Sequence, residues 1–412
     1  MLAANREAFR RPKANSKALA LAGITAATRD PPGGHIRRRA GSNEPDGVLE
    51  ENAQYPVIGK LLASNVKARE SQALQLAGLQ LYAKYGFTTA QDGLTDPINV
   101  QGYMAAAEAG RLNIDVVSYP GYLMLGDGAF MNGPYYGRTY KGHFRIGGIK
   151  LTLDGSPQGK TAWLTKPYLV PPAGQKEGYA GYPALKDAQV DTAIEQAFAK
   201  GWQVLVHTNG DAALDQFLDA VEGASKKIPG TDRRPVAIHA QTARLDQVDR
   251  MKALGVIPSF FPMHTFYWGD WHRDSVLGPE RAANISPTGW ALQRGMIFTS
   301  HHDAPVVFPD AMRVIASTVN RTTRTGQVLG PDQRVEPIVA LKATTLWAAY
   351  QHFEEKTKGS IEPGKLADLV VVSDNPLTID RAKLADIKVL ETIKEGKSVY
   401  TRPGRNVPGQ EE

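Results

Sequence analysis

The stretch Trp202–Asp211, WQVLVHTNGD, carries the fold. From Trp202 to Val206 it is apolar apart from Gln203, the composition of a strand covered on both faces in a parallel sheet. His207 stands where the apolar run stops, and a small polar turn of Thr208, Asn209 and Gly210 follows. Asp211 then opens an amphipathic helix, with Leu214, Phe217, Leu218 and Val221 at intervals of three and four. Folds of the α/β class place their chemistry at the carboxyl ends of such strands. Taken alone, His207 fits a loop histidine equally well, and its meaning depends on the neighbouring strands.

The same alternation extends in both directions. Residues Leu61–Tyr85 predict a helix closed by Gly86, followed by a short strand at Phe87–Ala90. Asp96 and Pro97 form a cap and first turn for a helix reaching about Gly110, and Ile114–Tyr119 is a strand. Arg145–Leu153 is a strand, a Pro/Gly-rich loop runs through Tyr182, and Val190, Ile194, Ala197 and Phe198 mark a helix ending at Gly201. Beyond the central stretch come strand Pro235–His239, helix Leu245–Leu254 and strand Val256–Phe260. An aromatic loop Phe261–Asp274, strand Met296–Ser300 and helix Asp310–Asn320 follow. Strand and helix alternating in this way imply parallel pairing through right-handed crossovers. Strands near 88, 116, 149, 204, 237, 258 and 298 make seven, against eight in a closed (β/α) barrel. Residues 1–60 read as an irregular segment without a core of its own, 61–358 as the barrel, and 359–412 as a small β domain. In the last, a Pro363–Gly364 turn precedes strand Ala367–Val372 and a hairpin around Gly396.

Length and composition narrow the function classes. A chain of 412 residues accommodates a barrel with a satellite domain, and 42% hydrophobic with 22% charged residues is ordinary for a globular protein. No run approaches the apolar length of a membrane span. The start, MLAANREAFRRPK, has neither the apolar core nor the cleavage site of a signal peptide, so the expected compartment is the cytoplasm. The absence of cysteine excludes disulfides, thiolate metal sites and a cysteine nucleophile. The net charge of +6 is scattered, densest at Arg37–Arg39, which speaks for solubility and against nucleic-acid binding. GSPQGKT (Gly155–Thr161) has three residues between its glycines where a phosphate-binding loop needs four, and prolines break the helix that should follow. No Gly-x-Ser-x-Gly elbow is present. The expected partner is a small-molecule substrate, with homo-oligomer formation left open.

Unusual polar residues close several of the strands. Lys150 lies inside the apolar run GGIKLTL, where a bare ammonium is costly unless paired or modified. His207 and His239 end successive strands, and His301, His302 and Asp303 end the last. In a barrel, side chains from these ends converge on one mouth. Nitrogen and oxygen donors of this kind suit a divalent metal such as zinc. Singly each is a weak signal, since a buried lysine pairs with an acid more often than it binds metal.

The runs GGIKLTLDGSPQGKTAW, VLVHTNGD, AIHAQ, TSHHDAPV and KGSIEPGKLADLVVVSDNPL together resemble the amidohydrolase superfamily. More narrowly they are similar to its amidohydrolase family 3 branch, which includes N-substituted formamide deformylase-like metal-dependent hydrolases, from about residue 14 to 402. The resemblance implies an α/β fold, a (β/α)8 TIM-type barrel with a small β-sandwich, and one or two divalent ions. It also implies hydrolysis of C–N bonds in an amide, formamide or cyclic amide by a metal-activated hydroxide. On that basis Lys150 matches a strand-end lysine that is carboxylated and bridges two metals, and His207 and His239 match imidazole ligands. Asp303 matches a metal-bound aspartate that orients the attacking water and takes its proton. His264 and His302 either assist substrate binding or simply pack. The chain also departs from the pattern: relatives begin with sandwich strands and a first barrel strand ending in His-x-His, and no His-x-His occurs here. The similarity starts at Ala14–Thr25, within a segment that relatives insert after strand one. The expectation is therefore a TIM-type barrel lacking its first strand, with a C-terminal β-sandwich remnant and an N-terminal truncation. The alternative is an inactive remnant of such an enzyme.

Overall fold

A computed structural model describes residues 14–404 apart from 66, 67 and 127. The stretch 1–13, read above for a signal peptide, lies outside the described residues, as do positions 66 and 67 of the expected helix 61–85. In chain order the strands are β1 (Gly34–Arg38), β2 (Pro45–Glu51), β3 (Thr89–Thr95), β4 (Asp115–Pro120), β5 (Phe144–Ile146) and β6 (Gly148–Thr152). They continue with β7 (Gln203–Thr208), β8 (Val236–His239), β9 (Ile257–Phe260), β10 (Thr299–Ser300), β11 (Leu369–Val372), β12 (Val389–Lys394) and β13 (Lys397–Thr401). The chain divides into two compact units. The first comprises Met1–Lys67, Leu151–Met296 and Thr322–Gln333; the second comprises Ala68–Lys150, Ile297–Arg321 and Arg334–Glu412.

In the first unit β7, β8 and β9 run parallel, with Leu205 opposite Val236 and Val236 opposite Ile257. Every residue of the three strands is buried, the two-sided cover that the apolar run of β7 requires. Part of that cover is the helix Asp211–Lys227, which buries Leu214, Phe217, Leu218 and Val221 as their spacing predicts. The helix is brought in by a close approach. A Cβ on Gly210 would lie 1.8 Å from the Trp163 carbonyl oxygen, so no larger residue fits that turn. The expectation that the N-terminal segment lacks a core does not hold. β1 and β2 form an antiparallel hairpin, and Leu19, Ile24, Ile36, Leu49 and Ala53 make a small apolar cluster.

The region expected as an aromatic loop, 261–274, is mostly helical: an α-helix Met263–Trp271 leads into a π-helical turn, His272–Val276. His264, Trp268 and His272 recur every four residues, and the His264 ring centroid lies 5.7 Å from that of Trp268 and 6.1 Å from that of His272. That helical period was hidden among aromatics on every side. The Pro/Gly-rich loop 155–182 is irregular but pinned. Lys160 Nζ donates to the Val170 carbonyl at 2.7 Å and to Ser275 Oγ at 2.8 Å.

In the second unit β3, β4 and β5 run parallel, with Thr89 opposite Asp115 and Val116 opposite Phe144. The helix Pro97–Glu108 begins as read: Asp96 caps it through the Asn99 N–H, and Pro97 occupies its first turn. β11, β12 and β13 form an antiparallel sheet with β12 in the middle. Thr392 of that sheet donates to the carbonyl of Ala83, in the helix Ala68–Lys84. The parallel α/β character is thus observed, whereas the closed barrel is not seen among the described residues: β3 is bonded to β4 alone, and closure requires a partner on each side. Among the described residues no helix is long and apolar enough to cross a membrane.

Candidate active site

The register of β7 and β8 places His207 opposite Ile238 and Thr208 opposite His239. Successive side chains of a strand alternate in face, so regular continuation would send the two imidazoles to opposite sides of the sheet. The backbone departs from regularity at this point. His239 has φ 74° and Ala240 φ 41°, left-handed values that non-glycine residues seldom take. With that turn, the rings of His207 and His239 lie 4.6 Å apart at 82° to each other. Both are buried. Strained backbone held at a strand end is a feature of functional sites.

Asp154, which sequence reasoning passed over, stands behind this pair and is 1% exposed. Its Oδ1 accepts from the Asn209 N–H at 3.0 Å and lies 3.1 Å from His207 Nδ1. Its Oδ2 accepts from the N–H groups of Gly210 at 2.7 Å and Trp163 at 3.1 Å. On the other edge of the His207 ring, Asn209 Nδ2 lies 3.2 Å from Nε2 while donating to the Gly155 carbonyl at 2.9 Å. A faint signal for Asp154 was available, since Lys150, Thr152 and Asp154 alternate onto one face of the strand that β6 begins.

His264 continues the row of rings, 5.8 Å from His239 and 4.2 Å from Phe261. His272 lies beyond it, with Nε2 3.1 Å from Gln241 Nε2, and burial pushes its pKa down to about 3. The first unit therefore gathers His207, His239 and His264. These donors fit a divalent ion: two buried imidazoles in ring contact, one of them backed by a carboxylate, as zinc-binding histidines are held.

The remaining residues singled out in the sequence belong to the second unit. Lys150 is buried in β6, and Gly121 forms a bridge with it. His301, His302 and Asp303 follow β10, and Asp303 also has a left-handed φ of 53°. Burial first, then His302 and the Lys150 ammonium, push the His301 pKa down to about 3. Burial pushes His302 down to about 4; its ring meets the edges of Tyr82 and Phe87 at 5.1 and 5.2 Å, and its Nδ1 accepts from the Ala304 N–H.

Another donor group in the second unit, Asp115, His143 and Glu395, has ligand atoms within 4.8 Å of one another. It is an ion-pair network. Asp115 Oδ2 accepts from Lys358 at 2.5 Å and from Lys394 at 2.8 Å, and two ammonium groups on one carboxylate leave no favourable place for a cation. Burial alone would raise the Asp115 carboxyl, but His143, Lys358 and Lys394 outweigh it and hold it well below the usual range. His143, hydrogen-bonded to Asp115 at 2.7 Å, is raised by that bond against a smaller opposing effect of burial. Stability from a raised histidine is full below its unfolded pKa and is lost as pH rises through the folded value. Urea unfolding should thus show stability declining above about pH 6.5, and His143→Gln should flatten that decline. An unchanged slope in the variant would exclude His143 as its source.

The model of the amidohydrolase family matches residues 12–400. YtcJ of Bacillus subtilis (strain 168) is 27% identical over 401 residues, covering 94% of this chain and 72% of YtcJ. The N-substituted formamide deformylase of Arthrobacter pascens is 26% identical over 407 residues, covering 95% of this chain and 72% of the deformylase. Among solved structures, an uncharacterized metal-dependent hydrolase from Pyrococcus horikoshii OT3 shares the fold with a TM-score of 0.72 at 23% identity, covering 91% of this chain and 71% of that one.

Proposed function

The chain belongs to the amidohydrolase family, and from that premise we propose that it is a metal-dependent hydrolase of carbon–nitrogen bonds in a small amide, formamide or cyclic amide. The observation that carries the reading is the His207–His239 pair, brought into ring contact by a left-handed residue at the end of β8. In this proposal His207 and His239 are imidazole ligands, Lys150 and Asp303 are the remaining ligands carried over from the family, and zinc suits the set. The strand–helix repeats are then those of the family's (β/α) barrel. A divalent ion, when bound, supplies Lewis acidity to the carbonyl and to the attacking water. Asp303 takes the proton of that water, and His264 and His302 border the substrate. The formamide class is suggested by the Arthrobacter relative's name.

The test is hydrolysis of a panel of small N-substituted formamides, primary amides and cyclic amides by the full chain, with and without zinc. Turnover should require metal, vanish with a chelator and be lost in His239→Ala. The second reading is an inactive relative of such enzymes. Metal content below about a tenth of an equivalent after zinc loading, with no turnover, would establish it.

A further inference from the structure

We propose that Asp154 is a positioning residue that fixes the tautomer of His207, with the proton on Nδ1 and the lone pair that a metal would take on Nε2; this rests on the metal-dependent reading above. The inference follows from counting donors. A carboxylate has about four lone-pair directions and no proton to give when ionised, and donors surround Asp154. Three are taken by the N–H groups of Asn209, Gly210 and Trp163, which can only donate. Three N–H groups aimed at its two oxygens hold Asp154 as an acceptor. The contact with the ring, at 3.1 Å, therefore has His207 Nδ1–H as donor. A neutral imidazole with its proton on Nδ1 has its lone pair on Nε2. Asn209 Nδ2, 3.2 Å from Nε2, is a donor group and agrees with that assignment.

The same contacts explain how the arrangement is held. Asn209 and Gly210 lead into the helix Asp211–Lys227, so the carboxylate also sits at the positive end of that helix. Gly210 packs against the Trp163 backbone as closely as it does only because it has no Cβ. Carboxylates that orient ligating histidines typically account for about 10–100-fold in metal affinity.

The test uses the full chain, labelled with 15N-histidine and stripped of metal. Two-bond 1H–15N spectra should show His207 with its proton on Nδ1 and a bare Nε2. In Asp154→Asn, which presents an amide donor to the ring, the opposite tautomer should become populated, and zinc affinity measured by chelator competition should fall about 10–100-fold. A proton on Nε2 in the unsubstituted protein would overturn the proposal, and this measurement decides it even if the variant fails to fold. A variant that melts earlier but keeps both the tautomer and the zinc affinity would make Asp154 a loop brace only, and would overturn it equally. If the protein binds no zinc, the metal-dependent reading fails, while the metal-free spectra still report on Asp154 separately.

Discussion

Replacing Asp303 by asparagine is expected to lower kcat by about 10²–10⁴-fold, with metal still bound. Asparagine keeps the shape and one carbonyl oxygen of the aspartate, so on the role proposed for Asp303 a ligand is retained while the base is lost. It is also among the few residues that tolerate the left-handed backbone found at position 303, φ 53°, so the turn after β10 is not disturbed. Alanine at this position would confuse lost chemistry with added strain. Tyr82 cannot take over as base: burial, then the Asp92 and Asp303 carboxylates, raise its hydroxyl pKa, and it stays protonated. Turnover should be compared by single-turnover kinetics alongside metal content. A loss smaller than about threefold, far below what a general base contributes, would remove Asp303 from proton transfer.

The second large effect is on stability. Asp115→Leu should cost about 3 kcal/mol, because it leaves Lys358 and Lys394 buried without the carboxylate they share. Lys358 keeps Glu354 at 2.6 Å and Lys394 keeps Asp368 at 3.0 Å, which places the expected cost at the low end for a broken buried pair. The network ties β4 to the residues after the helix Leu346–Gln351 and to β12, so its loss should loosen the C-terminal sheet as well. Urea unfolding measures the cost, and proteolysis near β11–β13 should accelerate. Combining Asp115→Leu with Lys394→Met should recover part of it, since an unpaired charge is then removed. A cost below about 1 kcal/mol would rank the network with exposed ion pairs and refute the buried role.

Local pattern made much of this protein legible. The apolar run Val204–Val206 with its histidine is the buried strand that such a run must form, and the 3–4 spacing of Leu214, Phe217, Leu218 and Val221 faces inward as predicted. Asp96–Pro97 capped its helix because capping depends only on nearby groups. The helix at Met263–Trp271 escaped notice because its inward and outward positions are both aromatic, and periodicity is invisible without contrast.

What the sequence determined by itself is therefore most of the strands and helices and the residue types that end them, because these follow from spacing and burial along a few neighbours wherever apolar and polar positions contrast. Tertiary structure decided which of those residues meet. His207 and His239 are set by register to opposite faces, and only the left-handed turn at His239 brings the rings together. Asp154 gained its place behind His207 from Trp163, Asn209 and Gly210, whose N–H groups are up to 56 positions away along the chain. Such contacts depend on how separate elements pack, and no local pattern encodes them.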